Sequence, residues 1–322
     1  MAHLNSLSIC ARITLDMHNL NSEGTEGNQQ QTRMVHIIDQ TGRRAIVNAV
    51  SGDMFKHILV EHLVPLLQDA EQFLSPGAKV YSADRINELN KPFEEFCAGK
   101  VTESEIMTRM LTECSLTDMA GALVTRGRSV GRKSVAEFGW VVGLPSKADG
   151  EPLTATEQYF HVKYAPEGRG VSTGSDTVSG KQAIFHRPAS SGVYALICNL
   201  DLYRIGLNDI TRQYVVDAAS RQRRATALIH ALAATLLKPS GAQRNTQNPH
   251  IVNCEGAIAT SATSLPAPTV SPLHDEYRNQ MGRAADVLNG IKPDGVRVMQ
   301  FESLADGVRV LADLASGVEL PN

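Results

Sequence analysis

The order in which strand-like and helix-like segments follow one another is the feature that most limits the fold of this chain. Alternating apolar and polar residues predict strands at 4–17, 34–39, 43–50, 135–144, 159–165, 181–188, 192–206, 256–263 and 296–301. Apolar residues at helical spacing predict helices at 51–73, 210–238, 274–289 and 303–315, with two or three short helices within 84–120. Because strands and helices are interspersed irregularly, an α+β fold is favoured over a doubly wound parallel sheet.

Two polar stretches are predicted to lie between these elements. Residues 18–33, HNLNSEGTEGNQQQTR, are rich in Asn, Gly and Gln and predict a loop. Residues 166–180, PEGRGVSTGSDTVSG, are rich in Gly and Ser and predict a mobile loop or a hairpin tip. Within the strand predicted at 135–144, Phe138 and Trp140 are two residues apart and are expected to share a face.

The chain is long enough, at 322 residues, for a large elaborated domain, and it contains no internal repeat and no clear interdomain linker. We therefore predict a single domain over 1–322. No apolar run approaches the roughly 18 residues of a membrane helix. The segment MAHLNSLSIC lacks the basic and apolar regions of a signal peptide. These features predict a soluble, cytoplasmic protein with no membrane partner.

Charge is unevenly distributed along the chain. The formal net charge is −3, which argues against indiscriminate nucleic-acid binding but not against a local basic strip. Residues 84–118 are rich in acids, whereas 121–133 carry four cations and no acid. Those cations are Arg126, Arg128, Arg132 and Lys133. Two interpretations stay open: one face for a polyanion and another for protein neighbours, or a solvated acidic helix followed by a basic loop.

Motifs for catalysis, metal binding and cofactor binding do not fit. Five residues separate Gly174 from Gly180-Lys181, and Gln182 follows that lysine, so the segment is not a phosphate loop. No G-x-S-x-G segment lies between a predicted strand and a predicted helix, as a nucleophile elbow requires, and no H-E-x-x-H pattern occurs. The five cysteines are far apart, with no C-x-x-C pair. We therefore predict a protein that is not an enzyme and has no cofactor or metal, with the cysteines buried as small apolar residues.

The remaining patterns are those of phosphate recognition. Ser51 is a plausible N-cap for the helix at 51–73, Gly52 would allow a phosphate to approach closely, and Lys56 and His57 lie just inside the helix. Pro65 is expected to kink or divide that helix. The guanidinium groups of the basic 126–133 segment suit phosphate.

A second group of candidates surrounds an aromatic ring. Lys181, His186 and Arg187 flank Phe185, which places a stacking ring among cations, as single-strand binding requires. The alternative for Phe185 is an ordinary inward-facing strand residue beneath a surface loop. The sequence alone favours neither interpretation decisively.

Four segments, in order, resemble one family. They are SICARITLDMHNLNSEGTEGNQQQTR, NAVSGDMFKHILVEHL, IFHRPASSGVYALICNLDLYRIG and KPSGAQRNTQNPHIVNCEGAI. Together they resemble the DevR-type CRISPR-associated autoregulator family, the repeated backbone subunit of type I Cascade complexes. The resemblance runs from residue 7 to about 264.

This resemblance implies a palm like an RNA-recognition motif (ferredoxin-like), with helical fingers inserted at about 66–134 and a thumb hairpin at about 166–188. It implies CRISPR guide RNA as the ligand, target DNA through that guide, and further copies of the chain and other Cascade subunits as partners. Because a guide must keep its base edges free, we expect phosphate and sugar contacts. The amide-rich and basic segments add six candidate RNA-binding residues, namely Asn19, Asn21, Asn28, Gln30, Arg33 and Arg244.

Two alternatives remain. Backbone subunits of type III complexes resemble this family and cut target RNA with a loop acid, a role that Glu23, Glu26 or Asp53 could serve. A DNA-binding transcriptional autoregulator is the other, although no helix-turn-helix pattern occurs. A divalent-metal RNase assay tests the first alternative, and a comparison of single-stranded RNA with duplex DNA tests the second.

Overall fold

The computed structural model describes residues 2–125, 128–145, 153–163, 183–241 and 246–321. Its strands are β1 (Ala2–His3), β2 (Ser6–His18), β3 (Ser22–Glu26), β4 (Gln29–Thr32), β5 (Met34–Ile38), β6 (Arg44–Val50), β7 (Ala122–Val124), β8 (Val130–Arg132), β9 (Ala136–Phe138), β10 (Val141–Gly143), β11 (Thr154–Lys163), β12 (Ala183–Leu200), β13 (His250–Ser261), β14 (Val296–Phe301) and β15 (Val318–Glu319). Its α-helices are α1 (Gly52–Asp69), α2 (Pro76–Lys79), α3 (Lys91–Ala98), α4 (Glu103–Glu113), α5 (Ser115–Ala120), α6 (Ala218–Leu237), α7 (Tyr277–Ile291) and α8 (Leu304–Gly317). Short 3-10 turns lie at Arg85–Asn87 and Leu202–Arg204.

The architecture is a mixed α/β fold built on one large and mainly antiparallel sheet. Its main path runs in the order β14-β13-β2-β12-β10-β6-β5. Strand β12 is the longest, at 18 residues, and it pairs along one side with β2 and along the other with β9, β10 and β11 in turn. The end of β12 that pairs with β11 extends beyond its pairing with β2, and at His186 it also pairs with β4. We call β11 and this end of β12 the stem.

The core forms mostly on one face of the sheet. Alternate residues of β2, from Leu7 to Leu15, are buried there against α1, α6 and α8. The opposite face of the same strand carries Cys10, which packs in a smaller cluster with Tyr277 and Met281 of α7. Strand β2 is thus covered on both faces. This explains why it carries apolar residues on both faces and does not simply alternate apolar with polar residues. The five cysteines are all buried and unpaired, as expected.

Helix α1 confirms the predicted helix and its N-cap. Ser51 Oγ accepts a hydrogen bond from Met54 N at 3.2 Å, and Phe55, Ile58 and Leu59 are buried. The predicted division of the helix at Pro65 is wrong, because the helix continues to Asp69 through it. Pro65 lies on the exposed side of the helix, where its missing N–H and any local bend are accommodated by solvent.

Helix α6 begins eight residues later than its apolar pattern predicts. Asp217 caps it by accepting a hydrogen bond from Ser220 N at 2.8 Å. Residues ahead of the cap form a separate turn in which Leu207 bridges Tyr214. Val215 was therefore placed correctly against the core but not in the helix, and Ala218 is exposed at its start.

Three further predictions from the sequence need correction. The loop predicted at 18–33 contains the hairpin β3–β4, which is stabilised by pairing with neighbouring segments. The strand predicted at 135–144 is two short strands, β9 and β10, and Phe138 packs on the core while Trp140 is exposed. The strands predicted at 181–188 and 192–206 are one strand, β12, since Pro188 and Gly192 are accommodated within it.

Candidate nucleic-acid interface

A group of buried polar side chains lies where β2 ends and α1 begins. We call His18, Asn19, Asn21, Asn48, Ser51 and Gln247 the polar cluster. His18, Asn19 and Asn21 are each less than a tenth exposed, yet His18 Nε2, Asn19 Oδ1 and Asn21 Nδ2 have no hydrogen-bond partner. Buried polar atoms are nearly always paired, so three unpaired ones within four residues indicate a place where a polar ligand can bind.

The cluster is held by bonds that fix its side chains. Tyr194 OH donates to Asn48 Oδ1 at 2.9 Å, and Asn48 Nδ2 donates to Thr32 Oγ1 and to the carbonyl of Arg33, both at 3.1 Å. The His18 ring packs edge-on against Tyr194, with 5.1 Å between ring centroids. Burial lowers the pKa of His18 to about 4, so its imidazole is neutral at pH 7.

The amino end of α1 lies beside this cluster. Ser51 Oγ is 3.4 Å from Asn21 Oδ1, so the capping hydroxyl and the unpaired amide of Asn21 are adjacent. A helix amino end attracts anions through its N–H groups and dipole. Lys56 is partly buried, and its pKa is lowered by that burial and by Arg85, while His57 Nε2 is 3.4 Å from Glu61 Oε1.

Gly52 has a packing reason to be glycine in addition to the expected one. A Cβ at this position would lie 2.5 Å from Phe138 O and 3.1 Å from Gly139 O. The absent side chain makes room for the backbone at Phe138 and Gly139. Close approach of a phosphate at Gly52 stays a prediction. Close packing of these two segments fixes the position of the amino end of α1 relative to the sheet.

The hairpin β3–β4 brings three predicted residues together. His186 N, in β12, donates to the carbonyl of Asn28 at 2.9 Å, and Gln158 of β11 donates to the carbonyl of Gln30 at 2.8 Å. The Gln30 side chain itself donates to Ser22 Oγ at 2.6 Å within the hairpin. Asn28, Gln30 and His186 thus form one contiguous surface at the base of the stem.

Phe185 and His186 lie on opposite faces of that stem. The Phe185 ring stacks on His161 with centroids 5.7 Å apart, and the Arg187 guanidinium lies 4.8 Å from the Phe185 centroid. The His186 ring instead packs against Phe160, at 4.4 Å. The expected arrangement of a ring beside a cation is therefore present for Arg187, but His186 belongs to the other face.

The Phe185 face of the stem connects to the polar cluster. Arg187 Nη1 donates to Thr246 Oγ1 at 3.2 Å. The next residue, Gln247, donates to Pro188 O at 2.8 Å and its Oε1 is 3.4 Å from Asn19 Nδ2. A continuous chain of polar contacts therefore runs from the amino end of α1 to the stem. Lys181 and Arg244, with residues 166–182 of the expected thumb, lie outside the described residues.

The prediction that Arg132 contacts phosphate is wrong. Its side chain is fully buried and donates to Asp118 Oδ1 at 2.8 Å and to Asp209 Oδ2 at 2.9 Å, as well as to three carbonyls. Every donor of this guanidinium group is thus directed at a protein oxygen. Arg128 and Lys133 are exposed, and Arg128 donates to the carbonyl of Val101. Arg126 lies outside the described residues.

Arg33 is placed as a surface residue beside an aromatic ring. It pairs with Glu23, and its guanidinium group lies 5.0 Å from the ring centroid of Trp140. Sequence patterns did not indicate Trp140 as a site residue, nor His18, Asn48 or Gln247. A signal existed for Trp140, since it is the single tryptophan of the chain, but the other three required knowledge of the fold.

The acids considered for cleavage do not form a metal site with neighbouring ligands. Glu23 is paired with Arg33, and Asp53 lies in the first turn of α1. Across the ranges that the structure describes, no group of three or more His, Cys, Asp or Glu residues is arranged to hold a metal ion. Among the same residues, no helix is both long and apolar enough to cross a membrane.

These observations define a mixed α/β protein whose large antiparallel sheet carries an amide-rich polar cluster at the amino end of one helix. The family model for the CRISPR-associated negative auto-regulator DevR/Csa2 matches residues 9–281. The chain therefore belongs to the DevR/Csa2 family, which confirms the resemblance in the four sequence segments. A similar curated relative is the CRISPR-associated aCascade subunit Cas7/Csa2 2 of Saccharolobus solfataricus strain P2. It is 22% identical over 332 residues, covering 95% of this chain and 96% of the relative.

Solved structures are similar in fold. A chain of a CRISPR RNA-guided surveillance complex in a pre-nicking state matches with a TM-score of 0.51 and 13% identity, covering 96% of this chain and all of that one. A chain of another CRISPR RNA-guided surveillance complex matches with a TM-score of 0.49 and 14% identity, covering 97% and 98%. The first match shows that the sheet and its helices share an overall fold with that chain.

Proposed function

We propose that this protein is a non-catalytic backbone subunit that binds CRISPR guide RNA through its phosphates and sugars. The observation that carries the proposal is the set of unpaired buried atoms on His18, Asn19 and Asn21 beside the amino end of α1. Amide and imidazole groups offer both donors and acceptors to ribose hydroxyls and phosphate oxygens. The adjoining helix dipole adds a favourable field for the phosphate charge.

The sheet topology supports an RNA-recognition-motif-like palm. The four strands β13-β2-β12-β9/β10 lie in that order, with α1 between β2 and β9 and α6 between β12 and β13 along the chain. This is the β-α-β-β-α-β arrangement of ferredoxin-like folds, in which both helices cover one face. In this proposal residues 66–134 form the fingers and 166–188 the thumb. The described end of the thumb is the stem of β12.

The chemistry of the polar surface favours backbone over base recognition. Amides, a capped helix end and isolated cations contact phosphate and sugar without distinguishing one base from another. A guide held in this way keeps its Watson–Crick edges free to pair with target DNA. The formal net charge of −3 is compatible with a local binding strip of this kind, because the strip and not the whole protein contacts the polyanion.

Relatives support the proposed partners. A curated relative is named as a Cascade subunit, and a solved structure with the same fold is part of an RNA-guided surveillance complex. We propose that several copies of this chain assemble head to tail along one guide, together with other Cascade subunits. Such heterologous contacts form open filaments unless another subunit caps them.

The test measures RNA binding by the purified chain. It compares the wild type with a variant in which one residue of the polar cluster gains a negative charge without changing shape. Asn21→Asp adds a negative charge where a phosphate is expected and should weaken binding of a single-stranded 30-nucleotide RNA by about tenfold or more, since a like charge at close range costs over 1 kcal/mol. Asn279→Asp, on the exposed face of α7, is the matched control and should bind normally. Equal binding by both variants, or preference for duplex DNA over RNA, would reject the proposal.

A further inference from the structure

Trp140 is a large aromatic side chain that the structure leaves in solvent. It is 48% exposed, although tryptophan is usually well buried on average. The chain contains one tryptophan, and it lies in the short break between β9 and β10. A tryptophan this exposed is a candidate for contact with a ligand or a partner.

The position of Trp140 is fixed relative to the amino end of α1. Val141, the residue after Trp140, pairs with Val50, the residue before the Ser51 cap. The backbone just before it, at Phe138 and Gly139, packs against Gly52. Two backbone contacts therefore hold the segment that carries the indole beside the proposed phosphate site.

One face of this aromatic ring is covered by a cation. The Arg33 guanidinium group lies 5.0 Å from the centre of the Trp140 ring, and Arg33 is fixed in turn by its pairing with Glu23. The carbonyl of Arg33 accepts from Asn48 of the polar cluster, which ties this ring and its cation to the same site. A flat ring beside a guanidinium group is the combination that stacks on nucleobases while keeping a cation near their phosphates.

We propose that Trp140 and Arg33 form a stacking platform for one nucleobase of the bound RNA. This inference rests on the proposed function and deepens it, because it adds a base contact beside a site proposed to hold phosphate and sugar. Stacking uses the face of a base and leaves its pairing edge exposed, so it tolerates any sequence and remains compatible with target pairing.

The test uses the intrinsic fluorescence of Trp140, which reports on this one position without any label. A single-stranded 30-nucleotide RNA should quench the emission strongly as it binds. An oligomer of the same length with abasic ribose at every position should bind through its phosphates, as measured by competition on filters, but leave the emission nearly unchanged. Trp140→Leu should lower RNA affinity by about 5- to 150-fold, the range expected for loss of one base–aromatic stack.

Two control variants separate stacking from other effects. Trp140→Phe keeps a ring and should retain most of the affinity, whereas Phe73→Leu removes a ring from an exposed position between α1 and α2 and should change nothing. Equal quenching by RNA and the abasic oligomer, or no quenching at saturation, would overturn the stacking platform while leaving RNA binding intact. Quenching by a second copy of the chain without RNA would assign Trp140 to a protein interface instead. If neither polymer binds, the proposed function itself fails, and the platform with it.

Discussion

Asp118 and Arg224 form an ion pair between two fully buried side chains, with 2.8 Å between Oδ2 and Nη1. Arg132 binds the other carboxylate oxygen of Asp118, also at 2.8 Å, so one acid lies between two guanidinium groups. Gly206 N donates to the same carboxylate. This network of ion pairs connects α5 with β8 and α6. It explains why Arg132, which lies in a segment expected to be exposed, is part of the core.

Replacing Asp118 by Ala should be severely destabilising. The substitution leaves two guanidinium groups buried without their shared anion, and breaking a buried pair in this way costs about 3–5 kcal/mol. Urea unfolding followed by circular dichroism should show a large fall in the midpoint. Asp313→Ala, an exposed acid on α8, is the matched control and should change the free energy of unfolding by less than about 0.5 kcal/mol. Similar midpoints for the two variants would contradict a structural role for this network.

The basic segment retains a testable role once Arg132 is excluded. Replacing Arg126, Arg128 and Lys133 together by Ala should reduce the dependence of RNA affinity on salt. For single-stranded RNA, each neutralised phosphate contributes about 0.7 to the slope of log affinity against log salt, so removing three cations predicts a change of about 2. The change should be the same for unrelated guide sequences. A slope that stays as it was would identify this segment as solvated surface.

His18 should make the stability of the free protein depend on pH. Its pKa is lowered by burial from an ordinary value of 6.5 to about 4, so the unfolded chain binds a proton more readily than the folded one. The free energy of unfolding therefore has its full value, as far as His18 is concerned, above pH 6.5. It falls as the pH decreases from 6.5 towards 4, because His18 is then protonated in the unfolded chain and neutral in the folded one. Between pH 7.5 and pH 5 the loss is about 2 kcal/mol, at 1.36 kcal/mol for each unit of pH below 6.5.

The measurement is urea unfolding of the wild type and of His18→Gln at both pH values. Glutamine cannot titrate, so the variant should lose about 2 kcal/mol less than the wild type on acidification. The difference between the two proteins removes the contributions of all other groups. An identical loss in both would show that His18 is not buried as a neutral ring in solution.

Gly52 offers a test of the contact between α1 and the sheet. Ala at this position would place a Cβ 2.5 Å from Phe138 O, which forces a backbone shift costing about 1–3 kcal/mol. Gly282→Ala in α7 is the control, because its Cβ meets no atom within 4 Å and a helix interior gains up to about 1 kcal/mol from alanine. Thermal denaturation should therefore shift in opposite directions. A neutral Gly52→Ala would mean that the segment carrying Trp140 can move away from α1.

Local sequence patterns predicted the strands and helices well where one face is apolar and the ends are capped. The strand at 296–301 and the cap at Ser51 were located to the residue, because alternation and capping act over a few positions. The division predicted at Pro65 was wrong because this residue lies on the exposed side of α1. The break predicted between 188 and 192 was wrong because β12 accommodates the intervening residues. Such tolerance depends on the surrounding structure and leaves no local mark in the sequence.

The candidate site was predictable only in part, for the same physical reason. Asn19, Asn21 and Ser51 were selected from short motifs, and the structure brings them together. Arg132 was selected as a surface cation, but its partners Asp118 and Asp209 are 14 and 77 residues away in sequence. Charge patterns along a chain do not reveal which charges pair across such separations. His18 and Gln247 are polar residues whose burial likewise follows from tertiary packing alone.

The β11–β12 stem has two faces, and we expect only one of them to contact RNA. Phe185 contacts His161 and Arg187, and Arg187 reaches Thr246 beside the polar cluster, so this face should contact RNA. Phe185→Ala should weaken RNA binding by about 5- to 150-fold through loss of a stacking ring. Phe160→Ala is the matched control, since its ring is 73% exposed on the opposite face against His186. It should leave RNA affinity unchanged in filter binding. If Phe160→Ala weakens binding and Phe185→Ala does not, the RNA lies on the other side of the stem and Phe185 is an ordinary strand residue.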